Sequence, residues 1–197
     1  MGKEKYLREI EDFFKKNLVV SSTSLKTIIK NKNKKSKFYV KQLIRNLIKK
    51  DKIKRLTKGC YTIYEDPSLI VFCLKPAYLG LQDALSFHNL WEQETIPILI
   101  TTRKVRQGLR NILNTNVLIR RINKKYFFGF DYYKDKFYLP YSDIEKTFVD
   151  TIYFKEKLDK ETLKYLIKKI NKKKLDSYLK VYPKRIRKTI NNLIAEY

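Results

Sequence analysis

The chain has 197 residues, 43% of them hydrophobic and 14% aromatic, and carries 45 Lys+Arg against 20 Asp+Glu for a formal charge of +25. That much apolar material fills one large domain or two small ones and excludes an intrinsically disordered chain. No apolar run approaches the roughly 18 residues of a membrane span and the N-terminus is charged rather than signal-like, so a cytoplasmic protein with no membrane partner is expected.

From the N-terminus, Tyr6, Leu7, Ile10, Phe13 and Phe14 form one helical stripe. Behind the cap-rich run Ser21-Ser22-Thr23-Ser24, the residues Leu25, Ile28 and Ile29 form a shorter one. Ser36 is placed to cap a third helix, in which Val40, Leu43, Ile44, Leu47 and Ile48 recur at i, i+3, i+4, i+7 and i+8. Its other side carries Lys37, Lys41, Gln42, Arg45, Asn46 and Lys49. Asp51 marks the exit, and residues 53–56 and 60–63 read as two strands joined across Thr57-Lys58-Gly59. Two helices, a longer basic helix and a basic hairpin make up a winged helix-turn-helix. A lysine-rich solvated face is the plainer reading of the charges, but it does not account for their place directly after two helices.

On the winged-helix reading, Lys37, Tyr39, Lys41, Gln42 and Arg45 face the major groove of double-stranded DNA. Gln42 suits adenine and Arg45 guanine. Lys54, Arg55 and Lys58 on the wing meet phosphates or the minor groove, and Lys26 and Lys30 clamp the backbone.

Asp66-Pro67 places a domain junction near residue 66. The expected architecture is α+β: a winged-helix domain over 1–66, then a mixed α/β domain over 67–197. The second domain opens with a strand at 69–74. A helix over 79–90 follows, with Leu81, Ala84 and Leu85 inward, and then strands at 96–101, 116–122, 126–132 and 136–140, the last two joined around Lys134-Asp135. Ser142 is placed to cap a helix through 154, with Glu145 completing a capping box. Helices over 160–169 and 175–182 and a final helix opened by Pro183 complete the chain.

Charge is unevenly spread. Residues 1–63 hold 19 basic against 5 acidic residues, 64–154 hold 12 against 10, and 155–197 hold 14 against 5. A genome rich in lysine codons raises lysine everywhere and does not by itself spare the middle. The C-terminal cations Lys172, Lys173, Lys174, Lys184, Arg185, Arg187 and Lys188 therefore form a second candidate polyanion surface, for flanking DNA or for RNA.

Catalytic constellations are not apparent. Cys60 and Cys73 lie in apolar predicted strands without a CxxC pair or histidine cluster and read as buried thiols. The single histidine, His88, reads as a satisfied helix-end residue, and Ser86, two positions away, points to a different helix side. Asp143, Glu145 and Asp150 would suggest a metal-dependent nuclease only if carboxylates converged from separate elements. No catalytic residue, metal or cofactor is expected, and a non-enzymatic binding protein is the leading reading.

Three segments occur in a telling order: KRLTKGCYTI at 54–63, GLQDALSFHNLWEQ at 80–93 with ILITTRKVR at 98–106, and SDIEKTFVDTIYF at 142–154. Together they resemble AbiEi-type antitoxins, winged-helix transcriptional regulators of type IV toxin–antitoxin (abortive infection) systems, over about residues 6–182. The resemblance implies a repressor that binds operator repeats upstream of its own operon, and a C-terminal domain needed for antitoxicity. It also implies a nucleotidyltransferase-like toxin that is opposed without a stable complex. Where the family commonly has His-Gly-Leu, this chain has His88-Asn89-Leu90, and asparagine tolerates the left-handed backbone such a turn needs. The C-terminal domain is also short for the family. A structured-RNA-binding protein and a nuclease are the rival readings.

Overall fold

A computed structural model describes residues 2–30 and 37–197, with the side chains of 2–6, 29–30 and 37–38 outside the description. The chain forms a mixed α+β structure of two compact units, one of 1–73 with 111–115 and the other of 74–110 with 116–197.

The first unit runs α1 (Gly2–Lys16), β1 (Val20–Ser21), α2 (Ser22–Lys30), α3 (Lys37–Lys49), β2 (Lys54–Thr57) and β3 (Cys60–Thr62). Its sheet has the order β1-β3-β2 and is antiparallel throughout. The periodic apolar residues meet as expected: Ile10 and Phe14 of α1, Leu25 of α2, and Val40, Ile44 and Leu47 of α3 close one core with Ile53 and Tyr61. Ile48 is the exception in that stripe, at 38% exposed. The backbone N–H of Ser24 donates to Ser21 Oγ at 2.9 Å, which caps α2. Gly59 turns the hairpin with φ of +80°, and its carbonyl accepts from the Ser22 N–H at 2.8 Å.

A strand is expected at 69–74, but 69–73 are helical and Leu74 is a bend. Asp66 accepts from Ser68 N–H, Pro67 opens a 3-10 turn over Pro67–Leu69, and α4 (Ile70–Cys73) continues it. A short apolar run reads the same for a buried strand and a buried helical turn, and here the cap decides. Cys60 and Cys73 are also corrected, from separate thiols to a disulfide with Cα atoms 6.1 Å apart. This bond and the packing of α4 on β2 hold 67–73 in the first unit, so that unit runs past the junction expected at 66.

The second unit is built on a six-stranded sheet of order β6-β7-β5-β4-β9-β8. Its strands are β4 (Ala77–Leu79), β5 (Ile98–Thr101), β6 (Gly108–Ile112), β7 (Thr115–Arg121), β8 (Phe130–Tyr132) and β9 (Pro140–Ser142), with the β6–β7 tip at 111–115 counted in the first unit. β4 runs parallel to β9 and β5 parallel to β7, while the β4–β5 and β8–β9 pairs are antiparallel. The helices are α5 (Gln82–Phe87), α6 (Ile144–Phe154), α7 (Lys160–Lys169), α8 (Lys172–Leu179) and α9 (Lys184–Glu196). Leu81, Leu85, Ile100, Phe148, Val149, Leu166, Leu175 and Ile190 bring sheet and helices into one core.

Several boundaries differ from expectation. The helix expected from 79 starts at Gln82, because 77–79 is strand β4 and Leu81 takes a left-handed φ of +58°. The strand expected at 126–132 keeps only β8, since Asn123 caps a 3-10 turn over Lys124–Tyr126 and Gly129 bends the chain with φ of +72°. The expected strand at 136–140 gives way to β9 at Pro140–Ser142, which makes Asp143, not Ser142, the cap of α6. Asn89 does adopt the left-handed backbone, at φ of +56°.

Candidate nucleic-acid interface

On α3 the buried row Val40, Ile44 and Leu47 fixes the helix's rotation and leaves Lys41, Gln42, Arg45, Asn46 and Lys49 exposed on the opposite side. Tyr39 is half-buried against the core and so does not stand fully outward. Lys30 and Lys37 lie within α2 and α3 with side chains outside the described residues, and the expected cap Ser36 is also outside them. Lys26 is half-buried on α2.

The hairpin splits its cations into two kinds. Arg55 and Lys58 are exposed. Lys54 is ion-paired to Glu65 and, at 3.7 Å, to Asp51. The hydrogen bond to Glu65 is the main reason its ammonium is held above the usual lysine range. A lysine so occupied gives less to a phosphate than its two neighbours do.

In the C-terminal cluster, Lys172 and Lys173 are exposed in the first turn of α8, and Lys184, Arg185 and Lys188 are exposed at the start of α9. In the first turns, Lys172, Lys173, Lys184 and Arg185 stand where the helix dipole disfavours a cation. Lys174 differs, because its ammonium lies 3.1 Å from both Asp143 and Glu145. Partial burial works against its charge, but the two carboxylates raise its pKa well above the usual range.

The sequence pattern does not reveal the polar network inside the second unit. Asp143 caps α6 by accepting from the Lys146 N–H at 2.7 Å, and its other oxygen accepts from Tyr178 OH at 2.7 Å. Glu145 accepts from the Asn171 N–H at 2.8 Å, so it joins α6 to the start of α8 and does not fold back into the expected capping box. One turn on, Lys146 and Asp150 form an ion pair with neither side chain exposed. Tyr78 OH donates to Asp150 at 2.6 Å, and Lys146 donates to Tyr182 OH at 3.1 Å. The Lys146 ammonium also lies 5.5 Å from the Tyr78 and Phe128 ring centres. Burial lowers the Lys146 pKa and raises that of Asp150, each against the pull of its partner. The i, i+4 spacing of Lys146 and Asp150 is the one signal of it in the sequence.

Each acid of the nuclease reading is therefore taken up by a structural partner. Among the described residues, no three His, Cys, Asp or Glu are grouped to hold a metal. His88 closes α5, with its Nε2 2.8 Å from the Ser142 carbonyl.

No protein-family model matches the chain, and no curated protein matches it in sequence. In structure it is similar to the RV2827C protein of Mycobacterium tuberculosis, known from a crystal structure, with a TM-score of 0.65 and 13% identity over 97% of this chain and 76% of that one. At that identity the likeness is one of fold.

Proposed function

We propose that the first unit is a winged helix and that the protein is a sequence-specific DNA-binding transcriptional regulator. One observation carries the reading: α3, followed by a basic hairpin in a β1-β3-β2 sheet, buries Val40, Ile44 and Leu47 and leaves Lys41, Gln42 and Arg45 outward. A helix so anchored can lay three adjacent donor-bearing side chains into a major groove. The hairpin cations Arg55 and Lys58 then reach flanking phosphates. Arg45 is the base-reading candidate for guanine and Gln42 for adenine.

The resemblance carried by 54–63, 80–106 and 142–154 narrows the role to the autorepressing antitoxin of a type IV operon whose toxin is a nucleotidyltransferase. The second reading is a structured-RNA-binding protein that uses the winged helix as a basic platform; the exposed cations of α8 and α9 suit the phosphates of flanking DNA and of RNA alike.

The deciding experiment is binding of the full chain to its own upstream DNA and to random duplex of equal length, across a salt series. A preference of roughly a thousandfold that survives moderate salt supports the regulator. Equal affinities that collapse together as salt rises overturn it in favour of general polyanion binding.

A further inference from the structure

The chain is a lysine protein, with 35 Lys to 10 Arg, yet five of the ten arginines fall within residues 103–121. That stretch holds a single lysine, Lys104, and no acid. It enters and forms the β6–β7 hairpin, and β6 is an edge strand of the six-stranded sheet. The near-neutral charge of the middle of the chain conceals this cluster, because acids elsewhere between 64 and 154 balance the total.

Two hydrogen bonds tie the segments that carry Arg106 and Arg121 together at the base of the hairpin. The Arg110 guanidinium donates to the Arg106 carbonyl at 2.6 Å, and the Gln107 side chain accepts from the Arg121 N–H at 3.0 Å. Arg106 and Arg121 are thereby tied into one region, and both are exposed, as is Lys104. Arg120 stands apart, ion-paired at 2.6 Å to Glu156. The segment supplies no acid of its own, so an external polyanion meets net positive charge at the exposed Arg106 and Arg121.

Charge on an edge strand also deters strand-to-strand association, but lysine does that as well as arginine. What arginine adds is a flat fork of donors that matches two phosphate oxygens at once. In a chain that uses lysine more than three times as often, a run of arginines points to that geometry.

We infer that the base of the β6–β7 hairpin, through Arg106 and Arg121, is a contact surface for the phosphodiester backbone of duplex DNA. The choice of duplex rests on the regulator reading above; the attraction to phosphate does not. The contact lies in the second unit, separate from the α3 face, and adds affinity without sequence information.

The test uses the full chain carrying Arg106→Gln and Arg121→Gln together, and separately Arg106→Lys with Arg121→Lys, titrated with random-sequence duplex and with single-stranded RNA across salt. For duplex, the Gln pair lowers the slope of log K against log salt by about 2, near 0.9 for each phosphate that is no longer neutralised. The Lys pair keeps the slope and binds several-fold more weakly, because the charge remains and the fork does not. An unchanged slope in the Gln pair, with native circular dichroism, overturns the inference and leaves the arginines as solvated surface charge. Weakened binding of RNA and not of duplex overturns the assignment to DNA. Random duplex makes this independent of the operator preference that tests α3, so either reading can fail alone.

Discussion

Lys146 and Asp150 stand one turn apart on α6 and pair where neither side chain is exposed, and Tyr78 and Tyr182 supply their remaining hydrogen bonds. The pair ties the helix to β4 through Tyr78 and to the segment before α9 through Tyr182. Desolvating two charges offsets most of what their attraction gains, whereas removing one partner strands the other in the core. Lys146→Met alone or Asp150→Leu alone is therefore expected to destabilise the protein by about 3–5 kcal/mol, and the double substitution is expected to recover most of that loss. Urea denaturation of the three variants measures it. A double variant no better than the singles would mean that the tyrosine hydrogen bonds, not the unpaired charge, set the cost.

Glu145 gives a pH dependence of known sign. Burial alone would raise its carboxyl pKa, but the Asn171 N–H and the Lys174 ammonium lower it below the ordinary 4.5. The unfolded chain then takes up the proton first, so the contribution is complete above about pH 4.5 and is lost as pH falls through the lower folded value. Glu145→Gln keeps an oxygen for the Asn171 N–H and removes the charge. The difference in stability between wild type and Glu145→Gln should be constant near neutrality and shrink below pH 4.5. A difference that stays flat down to pH 3 would show that the carboxylate's charge contributes nothing.

The second unit is legible in the sequence where elements are long and periodic. The α7 and α9 stripes and strand β5 fall close to their expected places, because spacing and Pro183 mark them. Legibility ends where three residues decide an outcome. Residues 69–73 are as apolar as a strand, and only the Asp66 cap with Pro67 makes them helical. β6 escapes the sequence pattern because Arg110 and Asn111 break an apolar alternation, and its pairing with β7 depends on the two left-handed residues Leu113 and Asn114 at the turn. In the candidate site, the outward row of α3 can be read from its buried row. The withdrawal of Lys54 to Glu65 and of Lys174 to Asp143 cannot, since neither partner is distinguishable by spacing from any other acid.

Gly129 is the point where the chain bends toward β8 against α6. Its φ is +72°, and a Cβ there would meet Lys146 Cβ at 2.8 Å and Tyr178 Cε2 at 2.9 Å. The first contact is with the root of a fully buried side chain, which has little room to move. Gly129→Ala should cost about 1–3 kcal/mol in overpacking, beyond the strain of a left-handed alanine of about 1–2 kcal/mol. Thermal melting of this variant beside Gly108→Ala separates the two effects, because Gly108 also has positive φ, at +106°, but nothing within 4 Å.

The α3 face and the β2–β3 hairpin are expected to differ in what they contact. Arg45 sits on α3 one position beyond the buried Ile44, on the exposed side with Lys41 and Gln42, whereas Lys58 is exposed at the tip of the β2–β3 hairpin next to Gly59. A guanidinium held on a fixed helix can satisfy two acceptors on a guanine edge, and its removal falls mainly on the cognate sequence. A lysine on a hairpin tip meets phosphate as a point charge, and its removal falls equally on all sequences. Arg45→Ala should cost about 1–3 kcal/mol on the operator and much less on random duplex, relaxing specificity at one base pair. Lys58→Ala should weaken both alike and reduce the salt slope by about 1. Competition titrations with a set of single-base operator variants read both effects. If Arg45→Ala weakened operator and random duplex to the same degree, α3 would be contacting backbone only, and base reading would have to come from another part of the chain.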